Sequence, residues 1–165
     1  PDELPLMTAL PAMERSTHEI EIDSTLLGPL SVPVEQSFTF GQGIPGLPEA
    51  RSFALLSAER EGFYWLQSLD SAALTFLLID PFRFVDGYSV DLTPTELGVL
   101  TPDDPADILV LSILTLPKTP EDPATANLQG PLAFNVRLRQ GKQVILESPY
   151  GLRFPVALRK KPEHD

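Results

Sequence analysis

The stretch LSVPVEQSFTF, residues 30–40, carries the pattern that decides the fold. Even positions read Leu30, Val32, Val34, Gln36, Phe38 and Phe40, and odd positions read Ser31, Pro33, Glu35, Ser37 and Thr39. Apart from Gln36 this is a period of two, the signature of a strand with one wet face. Pro33 has no amide donor, so the strand should lie on a sheet edge or break there. Just upstream, Ile20 and Ile22 alternate with Glu19 and Glu21 in the same way.

Outward from this stretch, the chain offers further short strands at 53–57, 63–69, 74–80, 108–116, 132–139, 142–147 and 152–158. Residues 108–116 (ILVLSILTL) are apolar on both faces and predict a central, doubly covered strand. In 132–139, Leu132, Phe134, Val136 and Leu138 face one way and Asn135, Arg137 and Arg139 the other. Gln140-Gly141 then reads as a two-residue hairpin turn, with glycine supplying the positive φ. One helix is expected. Thr93-Pro94-Thr95-Glu96 fits a capping box with proline at the first helical position. The chain has 18 prolines in 165 residues, about twice average usage, which leaves little room for long helices. The expected fold is an all-β, antiparallel barrel-like single domain with one short helix, since closure removes exposed strand edges. Residues 1–17 read as a flexible lead-in without the pattern of a signal peptide, 18–158 as the domain, and 159–165 as a charged tail.

Composition narrows the chemistry. The chain has no cysteine and two histidines, His18 and His164, near opposite ends. Thiolate metal sites, disulfides and cysteine nucleophiles are excluded, and a histidine-based centre is hard to assemble. Net charge is −11, a field that repels nucleic-acid backbones and anionic membranes and suits a basic protein partner. The charge is uneven: residues 1–136 hold five bases and 20 acids, while 137–165 hold seven bases and three acids. The neighbouring strands would gather those basic residues on one exposed surface.

Residues 41–46 satisfy G-x-G-x-x-G, but Pro45 and Pro48 remove amide donors and no helical pattern follows. They read as a turn, not a phosphate cradle. Of the carboxylate pairs, Asp103-Asp104 and Glu121-Asp122 lie in proline-rich loops. Asp80 closes an apolar strand and reads as a cap that accepts backbone amides, with a hydrolase using Asp80 and Asp86 as the least favoured reading. No catalytic, cofactor-binding or metal-ligating residue is assigned. Aromatics cluster at Phe63-Tyr64-Trp65 and at Phe82, Phe84 and Tyr88. An exposed strip of Tyr64, Trp65 and Tyr88 would suit a carbohydrate-binding or other β-sandwich binding module, the alternative to a protein-binding role.

Five segments in order resemble the FliW family of flagellar assembly factors: FGQGIPG (40–46), FYWLQSLD (63–70), LTFLLIDPF (74–82), TANLQGP (125–131) and GKQVIL (141–146). The match spans about residues 18–158, and Leu47 stands where the family usually carries Phe. The resemblance implies a barrel-like fold and a cytoplasmic, non-catalytic protein without cofactor. Its implied partners are flagellin and, when the protein is free, the RNA-binding translational regulator CsrA, whose repression it relieves from a site away from the RNA-binding surface. No direct contact with nucleic acid or membrane is implied. The interface residues expected from amides suited to backbone recognition and from a nearby aromatic are Phe82, Asn127, Leu128, Gln129 and Asn135.

Overall fold

A computed structural model describes residues 18–44, 46–147 and 149–158. The expected lead-in, 1–17, and tail, 159–165, lie outside the described residues. Among the described residues there are eleven strands: β1 (Glu19–Ser24), β2 (Gly28–Pro33), β3 (Ser37–Phe40), β4 (Ser52–Ser57), β5 (Phe63–Ser68), β6 (Thr75–Ile79), β7 (Ile108–Thr115), β8 (Ala124–Ala126), β9 (Leu132–Asn135), β10 (Gln140–Gln143) and β11 (Phe154–Val156). Among the described residues there are two short α-helices, α1 (Pro81–Phe84) and α2 (Pro94–Leu97), where one helix is expected.

The strands close on themselves. β3 through β7 form an antiparallel meander, β7 pairs with β9, β9 with β10, and β10 runs parallel to β3. These contacts make a seven-stranded barrel. β7 is long enough to serve two neighbours on one edge: residues 108–111 pair with β9, while Leu114 and Thr115 pair with β8, which β11 extends as an outer flap. Leu109, Leu111 and Ile113 point into the barrel, and Ile108 and Leu114 pack into clusters outside it. The two-faced apolar pattern of this strand therefore has its physical reason.

Phe38, Phe40, Phe53 and Phe134 fill the barrel and are almost wholly buried. Their rings meet edge to face: Phe38 on Phe134 at 5.1 Å, Phe40 on Phe53 at 5.3 Å and Phe40 on Phe134 at 5.6 Å. Each such contact adds about 0.5–1.5 kcal/mol beyond burial. A second cluster, built on Phe63, Ile79, Tyr88 and Leu128, lies between the barrel wall and the flap. A third, of Leu97, Leu100, Ala133, Val144 and Leu146, lies beneath α2.

The chain breaks at Pro33 as its missing amide requires. Residues 34–36 form a 3₁₀ turn, and β3 resumes with the barrel. Gln36, which interrupted the alternation, is buried there and donates to the Leu55 carbonyl at 3.0 Å. β1 and β2 form a separate hairpin, docked through Gln67, whose Oε1 accepts from the Ser24 and Thr75 hydroxyls at 2.7 and 2.6 Å. Residues 41–44 and 46–50 form the turn expected of them, with Gly43 and Gly46 at positive φ.

The β9–β10 connection corrects the sequence reading. The turn occupies residues 136–139, Arg139 takes the positive φ of 56°, and Gly141 lies inside β10. The glycine there is needed for close packing against Phe40, not for turn conformation. Of the basic residues expected on one surface, Arg159, Lys160 and Lys161 lie outside the described residues, and three others are held by local partners. Arg139 donates to the Val34 carbonyl at 2.8 Å, Lys142 to the Glu96 carbonyl at 2.8 Å, and Arg137 pairs with Asp107 at 3.4 Å.

Candidate protein-docking surface

Asp80 ends β6 and caps α1, accepting from the Phe82 amide at 3.1 Å. This local cap holds the Phe82 ring outward, where it is 49% exposed. The ring leans on Tyr88 at 5.4 Å, Tyr88 meets Tyr150 at 5.2 Å, and Tyr150 meets Phe154 of β11 at 5.2 Å. Four rings thus run from an exposed end at Phe82 to the outer flap. Tyr88 is buried and donates its hydroxyl to the Leu128 carbonyl at 2.7 Å. Burial, with a smaller contribution from Tyr150, pushes its pKa up to about 12. It therefore stays a neutral donor at physiological pH.

Through Tyr88 the structure joins Phe82 to the 127–130 loop. The Asn127 side chain accepts from the Gly130 amide at 2.8 Å, the amides of Leu128 and Gln129 both donate to the Gly151 carbonyl, and the Gln129 carbonyl accepts from Leu146. These bonds tie the loop between the segment before β11 and the extended segment that follows β10. Of the five residues expected at an interface, Phe82 is exposed, Asn127 and Gln129 are half-buried, and Leu128 and Asn135 are buried. Leu128 is a core residue of the second cluster. Asn135 donates to the Leu100 carbonyl at 2.9 Å and accepts from the amides of Arg137 and Leu138 at 3.0 and 2.9 Å, so its amide builds the 136–139 turn. Leu128 packs beneath the Phe82–Tyr88 rings, while Asn135 belongs to the 136–139 turn, and both side chains are buried. A short polar residue that accepts local amides at the end of a strand was the available signal for the Asn135 role.

Three of the candidate carboxylates hold local structure. Besides Asp80, Asp104 accepts from the Ala106 amide at 3.0 Å and Asp122 from the Thr119 hydroxyl at 2.9 Å. Among the described residues, no three histidine, aspartate or glutamate side chains gather as a metal site would require. Tyr64 and Tyr88 are buried, which removes two of the three rings of the proposed sugar platform. Among the described residues no helix is long and apolar enough to cross a membrane.

Two further features suit a protein partner. β11 ends the strand order, leaving main-chain groups on its outer edge. The β1–β2 hairpin turns Glu19, Glu21 and Asp23 to solvent in one row while Ile20 and Ile22 face inward. A row of like charge of this kind accelerates encounter with a basic protein more than it adds affinity.

The FliW protein family model matches residues 21–156 of this chain. The flagellar assembly factor FliW of Treponema denticola is 36% identical over 127 residues, covering 77% of this chain and 86% of that protein. The factor of the same name from Geobacillus thermodenitrificans is 41% identical over 119 residues, covering 72% and 82%. A crystal structure of the flagellar assembly factor FliW superimposes with a TM-score of 0.76 at 36% identity, covering 86% of this chain and all of that one.

Proposed function

Because the chain belongs to the FliW family of flagellar assembly factors, we propose that it is a non-catalytic partner switch. It holds flagellin in one state and, when free, holds the translational regulator CsrA and relieves its repression. The observation that carries this reading is the reach of the family match. It takes in the barrel, the flap and the hairpin together, so the whole described fold is the recognised unit.

The physical features support a binding role. A net charge of −11 has the right sign for a basic regulator. Phe82 offers an aromatic anchor and Gln129 a half-buried amide in the loop joined to it through Tyr88, with Asn127 and Leu128 holding that loop and Asn135 the 136–139 turn. The protein works in the cytoplasm, where both partners are made, and touches neither nucleic acid nor membrane itself. The test is to mix the purified protein with flagellin and with CsrA and to run each mixture on a sizing column. A complex with each is expected, and flagellin should remove CsrA from its complex. Absence of both complexes at micromolar concentrations would overturn the proposal.

A further inference from the structure

Away from the Phe82 surface, an open groove of about 390 Å³ is lined by Val90, Leu92, Pro94, Leu97, Pro102 and Ile108, with Thr101 and Pro105 at its mouth. Its floor is the third apolar cluster, so the groove is an extension of packed core with one side left uncovered. Its walls are stiff. Prolines 94, 102 and 105 fix their own φ angles. The Thr93 capping box holds α2, with the Thr93 amide donating to Glu96 at 3.0 Å and the Glu96 amide to the Thr93 hydroxyl at 3.3 Å. A preformed apolar cleft at the lower end of the size range for ligand sites, roughly 300–1,000 Å³, has room for a short stretch of chain.

The charge around it selects that chain. Asp91, Asp103 and Asp104 are exposed and alternate in sequence with the lining residues, and Glu96 is half-buried beside Leu97. From residue 84 to 117 there is neither lysine nor arginine. The neighbouring bases are engaged: Lys142 with the Glu96 carbonyl, and Arg137 with Asp107. Val99, in the 3₁₀ turn after α2, is 75% exposed.

We propose that this groove docks a short extended segment of a protein partner in which aliphatic side chains are flanked by lysine or arginine. The aliphatic groups complete the third cluster, and the flanking cations meet Asp91, Asp103 and Asp104. An anionic lipid or nucleic acid would meet a repulsive rim. The peptide titration reads residues 90–108 directly, so its outcome is distinguishable from that of mixing the protein with flagellin and CsrA.

The test is amide NMR of the full chain titrated with three synthetic probes. They are an acetylated hexapeptide Lys-Leu-Leu-Val-Lys-Lys, the same peptide with glutamate for each lysine, and the same with serine for each aliphatic residue. Saturable shifts from the first peptide, confined to residues 90–108 and to Val144 and Leu146, are expected. Both controls should bind at least about tenfold more weakly, since either the anchors or the charges are lost. Thr101→Arg, at the exposed mouth, should abolish the shifts without lowering the melting temperature, and Asp91→Asn with Asp103→Asn should weaken binding about threefold. Shifts spread over the acidic surface, equal binding of the serine peptide, or no saturable shift at millimolar peptide would overturn the proposal. Overhauser contacts from Leu6 or Leu10 to the Leu92 and Leu97 methyls in the free chain would give the groove to the chain's own leading segment. Self-association removed by Thr101→Arg would give it to a second copy. Either result also overturns it.

Discussion

Gly141→Ala probes the seam where the barrel closes. β10 joins the two ends of the ring, with Gly141 opposite Phe40 of β3 on one side and Phe134 of β9 on the other. A Cβ at this position would lie 2.5 Å from Phe40 Cζ and 2.6 Å from its Cε1. The ring cannot swing aside, because it is wholly buried and held edge-on between Phe53 and Phe134. Overpacking of a well-filled core costs about 1–3 kcal/mol, and a ring pinned on two sides belongs in the upper half of that range. For a chain of this length each kcal/mol lowers Tm by about 2–4 °C, so a fall of about 4–12 °C is expected in thermal unfolding. Urea unfolding of the single and double variants isolates the cause. Phe40→Leu removes the outer ring atoms, so Gly141→Ala should cost at least about 1 kcal/mol less in its presence. A melting temperature within about 1 °C of the parent, or strict additivity of the two changes, would refute this account of the seam.

Other expectations follow from buried polar groups and from the exposed ring. Ser112 is fully buried in β7 and its hydroxyl has no partner among the described residues, so Ser112→Ala should leave stability unchanged or raise it by up to about 1 kcal/mol in urea unfolding. Asn135→Ala strands the Leu100 carbonyl and two amides, and should cost about 2–4 kcal/mol by the same measurement. Phe82→Ala removes a half-exposed ring, and should weaken partner binding by roughly tenfold in calorimetry while Tm stays within about 2 °C. Tyr88 has a folded pKa of about 12 against an ordinary 10.0. Its contribution to stability is therefore present below pH 10 and lost as pH rises toward 12. Ultraviolet phenolate titration should show two delayed tyrosines, since burial also raises Tyr64, and Tyr88→Phe should remove the later one.

Much of the barrel was legible because its cause is local. Alternation at 30–40, the missing donor of Pro33 and the Thr93 capping box each act within a few residues, and each appears where expected. Gly141 shows the limit of such reading. A glycine after Gln140 suggests a turn, and only the packing of Phe40 from a distant strand shows why no side chain fits there. β8 escaped notice because Ala-Thr-Ala is too short and too small to show periodicity; it is a strand because β7 leaves two residues of edge for it. At the candidate docking surface the sequence could not rank the side chains of the 127–130 loop by exposure. Leu128 and Asn135 are buried by the flap and by the 136–139 turn, both of which depend on contacts far along the chain. Phe82 was readable because its outward placement follows from the adjacent Asp80-Pro81 cap.

The partner-switch account is tested most directly by competition at equilibrium. Fluorescently labelled CsrA, bound to this protein and followed by anisotropy, should be displaced to completion as flagellin is added, with the signal returning to that of free CsrA. A signal that stays at the bound value while flagellin also binds, forming a three-component complex, would contradict the account.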